Sequence, residues 1–138
     1  MPEFRVLVCG GRNYGKRWDG AEWVEDKGQV NRLWKVLDKA LEAATLAGRT
    51  FTLVHGGASG ADSLAGLWAS MRKERVTVRV YEADWKTHGR AAGPIRNKQM
   101  LDEGKPNAVI AFPGGAGTAN MIQQGKRVGV PIYEVKNG

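Results

Sequence analysis

The stretch "AVIAFPGGAGT" at residues 108–118 joins an apolar run to a proline and a cluster of glycines. Its first five residues are almost uniformly apolar, which is typical of a central strand covered on both faces. Pro113 follows the run, and three glycines then fall within four positions. Because each ordered glycine costs backbone entropy, the pattern indicates either a tight turn or the close approach of an external group to the backbone.

Strand and helix patterns alternate along the rest of the chain. The strands are predicted at 4–8, 51–57, 76–83, 108–112 and 131–135, and the helices at about 28–47, after residue 59, at 94–104 and at 117–129. This alternation predicts an α/β fold, a Rossmann-like doubly wound parallel sheet of about five strands with helices on both faces, in one domain over residues 1–138. Right-handed crossovers bring every strand-to-helix turn to one edge of the sheet, where such folds bind ligands.

Two helix starts can be read from capping signals. Ser59 with Asp62 three residues later has the spacing of a capping box, and Pro94 is suited to the first position of a short helix that ends near Gly104. Trp34 and Trp68 are both expected in the core. The second helix is expected to bury a stripe of apolar side chains. The stripe residues are Leu64, Leu67, Trp68 and Met71.

Composition predicts a cytoplasmic protein; its net charge alone fits a solvated surface, and the position of the basic residues is what points to an anionic partner. The chain has 21 Lys and Arg against 14 Asp and Glu, a net charge of +7, and basic clusters at 11–18 and 85–98 fall in predicted loops. Such a balance suits nucleotides, nucleic acids or acidic surfaces. No apolar run approaches the roughly 20 residues that cross a bilayer, and the first residues are expected to form a strand and not a secretory signal. Cys9 is the single cysteine, which is expected to be a buried, inert thiol.

Three glycine-rich turns are predicted at the ligand-binding edge of the sheet. One such turn is weak evidence, since tight turns need glycine for their own geometry. Three together, two of them directly before helices, favour a cradle in which backbone N–H groups and helix N-termini hold a phosphate. The predicted contacts are Gly10, Gly11, Gly56, Gly57, Ser59, Gly60, Pro113, Gly114, Gly115, Gly117 and Thr118.

Other common chemistries lack their sequence patterns. The P-loop and the dinucleotide fingerprint are both absent, and the surroundings of Ser59 do not form a nucleophile elbow. Two histidines and one cysteine far apart give no metal-site spacing. We therefore predict no metal held by the protein and no certain cofactor, although a phosphate ligand can carry Mg²⁺ of its own.

Four motifs in register resemble a known family. "RVLVCGGRNY", "VHGGASGADSLA", "ADW…GRAAGPIRNKQML" and "AFPGGAGTANM" are similar to the YspA-like (cpYpsA-related) branch of the SLOG superfamily. That superfamily includes the LOG phosphoribohydrolases and the DNA-processing protein DprA. The resemblance covers nearly the whole chain except about residues 16–50, and it implies a Rossmann-like fold with a nucleotide-derived ligand at the glycine edge.

The catalytic residues of the LOG enzymes carry over only in part. In those enzymes an arginine in an Arg-x-x-x-Met stretch acts with a glutamate that closes the Pro-Gly-Gly motif. Arg96 and Met100 match the first pattern, but Asn120 and Met121 stand where acids are placed in the second. Two carboxylates are predicted near the same edge and are candidates to substitute, namely Asp62 and Asp84. Their alternative roles are a helix-cap partner and a loop-turn carboxylate.

Arginines and one tyrosine complete the predicted ligand contacts. Arg96 is predicted near a helix N-terminus, where its charge is unfavourable unless an anion lies close by, so we expect it to clamp a phosphate. Arg12 and Arg90 are weaker candidates for the same role. Residues 12–27 lack a clear period; Tyr14 is the candidate to stack on a base from a lid, and Trp23 is expected to pin the loop to the core.

Three functions follow from these features. The first is a binding module or sensor for a nucleotide, phosphoribosyl or NAD-like ligand, and the second is an N-glycosidase of LOG type. The third is DprA-like binding of single-stranded nucleic acid, for which no recognition motif and no stacking platform is apparent. No membrane partner is expected, and a homodimer is expected only by analogy with relatives of this fold.

Overall fold

A computed structural model describes residues 2–136. Its elements, in chain order, are β1 (Glu3–Cys9), β2 (Lys16–Trp18), β3 (Trp23–Glu25), α1 (Lys27–Leu46), β4 (Thr50–His55), α2 (Ala61–Ser70), β5 (Val76–Val80), α3 (Trp85–His88), α4 (Ala92–Gly104), β6 (Ala108–Ala111), α5 (Ala116–Arg127) and β7 (Ile132–Glu134). Five strands form one sheet in the order β5-β4-β1-β6-β7, and all of its pairings are parallel. The predicted doubly wound α/β fold is confirmed.

Alternating side chains of the central strands build a core on each face of the sheet. In β1, Val6 and Val8 belong to one buried cluster, which α1 and α2 cover. Leu7 and Cys9 belong to the other cluster, to which α4 and α5 contribute. Because successive side chains of a strand point to opposite faces, the continuous apolar run of β1 serves both cores at once.

The spacing of apolar residues in α1 shows why this helix can be predicted from the sequence. Its buried residues are spaced three or four apart, as one face of a helix requires. Asp26 caps the helix by accepting a hydrogen bond from the backbone N–H of Gln29, and Gly48, at φ +70°, follows its end. The buried positions are Leu33, Leu37, Leu41 and Ala44.

The strand order creates a switch point between β1 and β6. From β1 the chain moves outward to β4 and β5, and then it returns to the other side of β1 to form β6 and β7. The turns after β1 and β6 therefore lead to opposite faces of the sheet. Doubly wound folds open a crevice at such a point, beyond the carboxyl ends of the strands.

The predicted start of α2 is wrong in its chemistry. Gly60, not Ser59, is the cap residue, and no side chain caps this end. Gly60 has φ +79°, and a Cβ there would overlap the carbonyl oxygen of Gly11. Contact with the turn after β1 therefore decides where the helix begins.

The buried face of α2 also differs from the predicted stripe. Its buried residues are Ala61, Asp62, Ala65, Trp68 and Ala69, whereas Leu67 and Met71 are 53% and 63% exposed. The small side chains of this face let α2 lie close to the strands, whereas Leu67 and Met71 face outward. Trp68 is fully buried as predicted, and Trp34 is partly buried against the same cluster.

Helix α4 begins earlier than predicted. It starts at Ala92, after α3 and a short 3₁₀ turn over Gly89–Ala91. Pro94 is therefore its third residue and not its first. A proline is tolerated there because the first-turn N–H groups have no acceptor within the helix. The helix ends at Gly104, as the sequence predicted.

The segment after β1 is a hairpin and not a lid. Strands β2 and β3 pair antiparallel, and Trp18 and Trp23 meet edge to face with ring centroids 5.8 Å apart. Trp23 is 50% exposed, so the expectation that it pins this segment to the core is wrong. Tyr14 is the residue that enters the core, since it is buried with its ring centroid 5.2 Å from that of Phe112.

Within residues 2–136, no helix has both the length and the apolar character that a membrane span requires.

Candidate functional site

A cleft of about 680 Å³ lies at the switch point between β1 and β6. Its walls come from the turn after β1, the start of α2, the α3–α4 segment and the start of α5. A groove of about 660 Å³ lies elsewhere, between α1 and the β6–β7 edge, and none of the predicted site residues lines it. The cleft is therefore the candidate site.

The turns after β1 and β6 are packed directly against each other. The N–H of Gly11 donates to the carbonyl of Pro113 at 2.9 Å, and the N–H of Ala61 donates to the carbonyl of Gly11 at 3.1 Å. A Cβ at Gly10 would lie 2.6 Å from the Cβ of Ala61, and one at Gly114 would lie 2.7 Å from the nitrogen of Gly11. Contacts within the protein are therefore enough to require glycine at positions 10 and 114.

Two glycines at the start of α5 have a different environment. A Cβ at Gly115 or Gly117 would meet no atom within 4 Å, and both residues line the cleft. Gly115 is the cap residue of α5, and no side chain caps the helix there. The first N–H groups of a helix lack partners within it and carry a positive partial charge. This is where a ligand can approach the backbone.

The second glycine turn makes room for an arginine. A Cβ at Gly56 would overlap the guanidinium of Arg96. The Nη1 of Arg96 donates to the carbonyl of Gly56 at 2.6 Å, and its Nε donates to Oδ1 of Asn97 at 3.2 Å. Gly56 therefore positions Arg96 at the cleft.

A side pocket of about 330 Å³ adjoins the cleft. Gly57 and Ser59 line it, together with Glu82. It shares four lining residues with the cleft, namely Arg12, Ala58, Trp85 and Arg96. The second glycine turn thus faces a compartment beside the cleft, not the cleft floor.

Three guanidinium groups line the cleft without acidic partners. Arg12, Arg90 and Arg96 all belong to its walls, and none takes part in the ion pairs found within residues 2–136. Burial lowers the pKa of Arg96, while the nearby Asp62 opposes that effect. Arginine nevertheless remains charged in proteins, so the cleft has positive charge that an anion would neutralise.

Asp62 is the carboxylate of the cleft. It is 6% exposed, and its Oδ2 accepts hydrogen bonds from the N–H groups of Gly56 and Ala58, both at 3.2 Å. Burial raises the pKa of Asp62 to about 6, although those N–H groups and Arg96 act in the opposite direction. Cys9 is buried, as predicted, and burial raises the pKa of its thiol to about 12.

Neutral amides occupy the region where LOG enzymes place acids. The Nδ2 of the buried Asn97 donates to Oδ1 of Asn120 at 3.0 Å and to the carbonyl of Gly117 at 3.2 Å. Gln124 also donates to Oδ1 of Asn120, at 2.8 Å. Met121 is fully buried. Asn97 was not predicted as a site residue, and its place next to Arg96 was the only signal.

The structure places the predicted site residues in several environments. The cleft is lined by Gly10, Gly11, Arg12, Asp62, Arg90, Arg96, Gly115, Gly117 and Thr118. Arg96, Gly56, Gly57 and Ser59 line the side pocket, whereas Pro113 and Gly114 line a separate pocket of about 340 Å³ beside β7. Gly60 packs against the backbone of Gly11 and Arg12.

Tyr14 and Asp84 also lie away from the cleft. The ring of Tyr14 is in the core, because the chain turns at Gly15 (φ +93°) into the hairpin. Asp84 caps α3 by accepting the N–H of Thr87 at 3.1 Å, and it lines neither the cleft nor the side pocket. Its neighbour Trp85 does line both. The sequence signal for Trp85 was its position, because it follows the β5 strand pattern and opens a basic segment.

The sheet order and the switch-point cleft define a Rossmann-like α/β protein. Residues 4–88 match the model of the YspA, cpYpsA-related SLOG family, and the chain belongs to this family. The Gene 61 protein of Mycobacterium phage D29 is 36% identical over 133 residues, which cover 93% of this chain and 93% of that protein. No solved structure matches the chain significantly.

The raised pKa of Asp62 predicts a pH-dependent effect of Asp62→Asn on stability. The folded state holds the proton more tightly than the unfolded state, whose carboxyl has a pKa of about 4. The stabilisation from protonated Asp62 is therefore lost as pH rises from about 4 through about 6. From pH 5 to pH 7.5, Asp62→Asn should gain about 1–2 kcal/mol in free energy of unfolding relative to wild type, measured by urea denaturation.

Asp84→Asn is the matched control for this measurement. Hydrogen bonds from Thr87 lower the pKa of Asp84, so its titration lies below this pH range. Its effect on stability should stay constant from pH 5 to pH 7.5. A constant effect of Asp62→Asn over the same range would contradict the raised pKa of Asp62.

Proposed function

We propose that the chain is a binding module or sensor for a nucleotide or nucleotide-derived ligand, whose phosphate sits at the N-terminus of α5. One observation carries the proposal: an uncapped helix start with two open glycines faces a cleft that three arginines line. A helix N-terminus attracts anions through its N–H groups and dipole, and guanidinium groups bind phosphate in a bidentate manner. Family membership supports the same class of ligand.

The size of the cleft agrees with this ligand class. Small-molecule sites have volumes of about 300–1,000 Å³, and the cleft has about 680 Å³ with an adjoining side pocket of about 330 Å³. A phosphate alone would fill a small part of this space. The remainder has room for a sugar and a base.

Binding is favoured over LOG-type hydrolysis because of the side chains near α5. Asn120 is an amide held by Asn97 and Gln124, and it cannot accept or supply a proton as a carboxylate does. Met121 is buried in the core. The group that would assist a leaving base is therefore missing from the position that the LOG pattern assigns to it.

Isothermal titration calorimetry against AMP, ADP-ribose, NAD and ribose 5-phosphate tests the proposal. We expect wild type to bind at least one of them, and Gly117→Ala to weaken that binding about tenfold or more, because a methyl group would displace a phosphate from charge-assisted hydrogen bonds. The same substitution should leave the free energy of unfolding unchanged or raise it by up to about 1 kcal/mol, since alanine favours helix.

Gly28→Ala is the matched control variant. Gly28 is the second residue of α1, as Gly117 is of α5, and it lies outside the cleft. Its substitution should leave binding unchanged. If no ligand of the panel binds the folded wild type, the proposal fails. If Gly117→Ala binds as tightly as wild type, the phosphate does not sit at α5.

Hydrolysis of the N-glycosidic bond is a second candidate function, and Asp62 is the observation that favours it. A buried carboxyl in the cleft with a pKa of about 6 has a proton affinity suited to general acid–base work near neutral pH. Water would add to the anomeric carbon, and the base would leave with a proton. Chromatography of AMP and NAD after incubation should show free base with wild type and none with Asp62→Asn. Unchanged substrates with wild type would exclude this activity for both compounds.

A further inference from the structure

Trp85 is the aromatic residue that borders both compartments of the site. It opens α3 directly after Asp84, which caps that helix. It lines both the cleft and the side pocket, and 46% of its surface is exposed. Trp68, in contrast, is fully buried, and Trp18 and Trp23 lie on the β2–β3 hairpin.

Arg12 and Gly93 hold the indole of Trp85 in place. The guanidinium carbon of Arg12 lies 5.1 Å from the ring centroid, a distance typical of a cation–π contact. A Cβ at Gly93 would lie 3.4 Å from the Cη2 atom of the ring, an ordinary van der Waals distance, so the edge of the indole lies beside the start of α4. The ring is thus supported from two elements, while nearly half of its surface remains accessible.

We infer that Trp85, with Arg12 packed on it, is the platform on which the aromatic base of the ligand stacks. This inference rests on the proposed function, and it assigns the base to a wall of the cleft other than the phosphate wall at α5. Aromatic side chains bind bases through their π-faces with little dependence on base identity. The platform therefore makes the site selective for phosphosugars that carry a base over phosphosugars without one.

Two probes that differ by the base isolate this interaction. AMP and ribose 5-phosphate share the phosphorylated sugar and differ at C1, where the base stands in place of a hydroxyl, so the change in the ratio of their Kd values between wild type and a Trp85 variant reports the contribution of the base at Trp85. In wild type we expect AMP to bind more tightly than ribose 5-phosphate. Loss of the stack in Trp85→Ala should weaken AMP about 5- to 150-fold and should leave the Kd of ribose 5-phosphate within about twofold of its wild-type value.

Three further variants make the measurement specific. Trp85→Leu keeps apolar bulk against Gly93 but lacks a π-face, so it should lose the preference for AMP as Trp85→Ala should. It replaces Trp85→Ala in the measurement if that variant does not fold. Trp85→Phe should retain much of the preference for AMP. Trp18→Ala removes a tryptophan of similar exposure, 55%, away from the cleft, and it should leave both Kd values unchanged.

The outcomes separate this inference from the proposed function. Equal Kd values for the two probes in wild type, or equal weakening of both in Trp85→Leu, would overturn the platform and leave phosphosugar binding intact. If neither probe nor any other ligand of the panel binds wild type, the proposed function fails and the platform fails with it. Loss of the preference for AMP in the Trp85→Leu and Trp85→Ala variants that fold, with both Kd values of Trp18→Ala unchanged, supports the inference.

Discussion

Backbone contact between the turns after β1 and β6 determines the geometry of the whole cleft. The hydrogen bond from Gly11 to the carbonyl of Pro113 joins these turns, and the bond from Ala61 to the carbonyl of Gly11 adds the start of α2. No side chain fits at Gly10 or Gly114 without overlap. The strand order meanwhile sends the two turns to opposite faces of the sheet. The starts of α2 and α5 are therefore held at one edge, with the cleft beside them.

This contact explains why glycines of similar appearance in the sequence have different roles. Most of those in the turns meet protein atoms and are needed for packing, whereas Gly115 and Gly117 face open space. Gly56 has a third role, because it admits the guanidinium of Arg96, which bonds to a backbone carbonyl instead of an acid. The arrangement leaves a positive charge beside backbone N–H groups. Asp62, with its raised pKa, compensates this charge only when it is ionised.

The sequence predicted the fold well because strand and helix periods are local properties. The apolar runs of β1 and β6 and the stripe of α1 can be read without knowing their partners. The start of α2 could not be read in this way, because contact of Gly60 with the Gly11 turn decides it. The positions of Tyr14, Asp84 and Trp85 likewise depend on where the chain reverses. Tyr14 enters the core just before the hairpin, and at the start of α3 a capping carboxylate, Asp84, is followed directly by a ring in the cleft, Trp85.

The central claim is that backbone N–H groups at the start of α5 hold a phosphate, and NMR observes those groups directly. A titration of ¹⁵N-labelled protein with ribose 5-phosphate at constant ionic strength should shift the amide signals of residues 116–118 most strongly, with downfield proton shifts from the new hydrogen bonds. The side-chain Nε–H signal of Arg96 should move along the same binding curve. Shifts confined to residues outside the cleft, such as the groove beside α1, would contradict the claim.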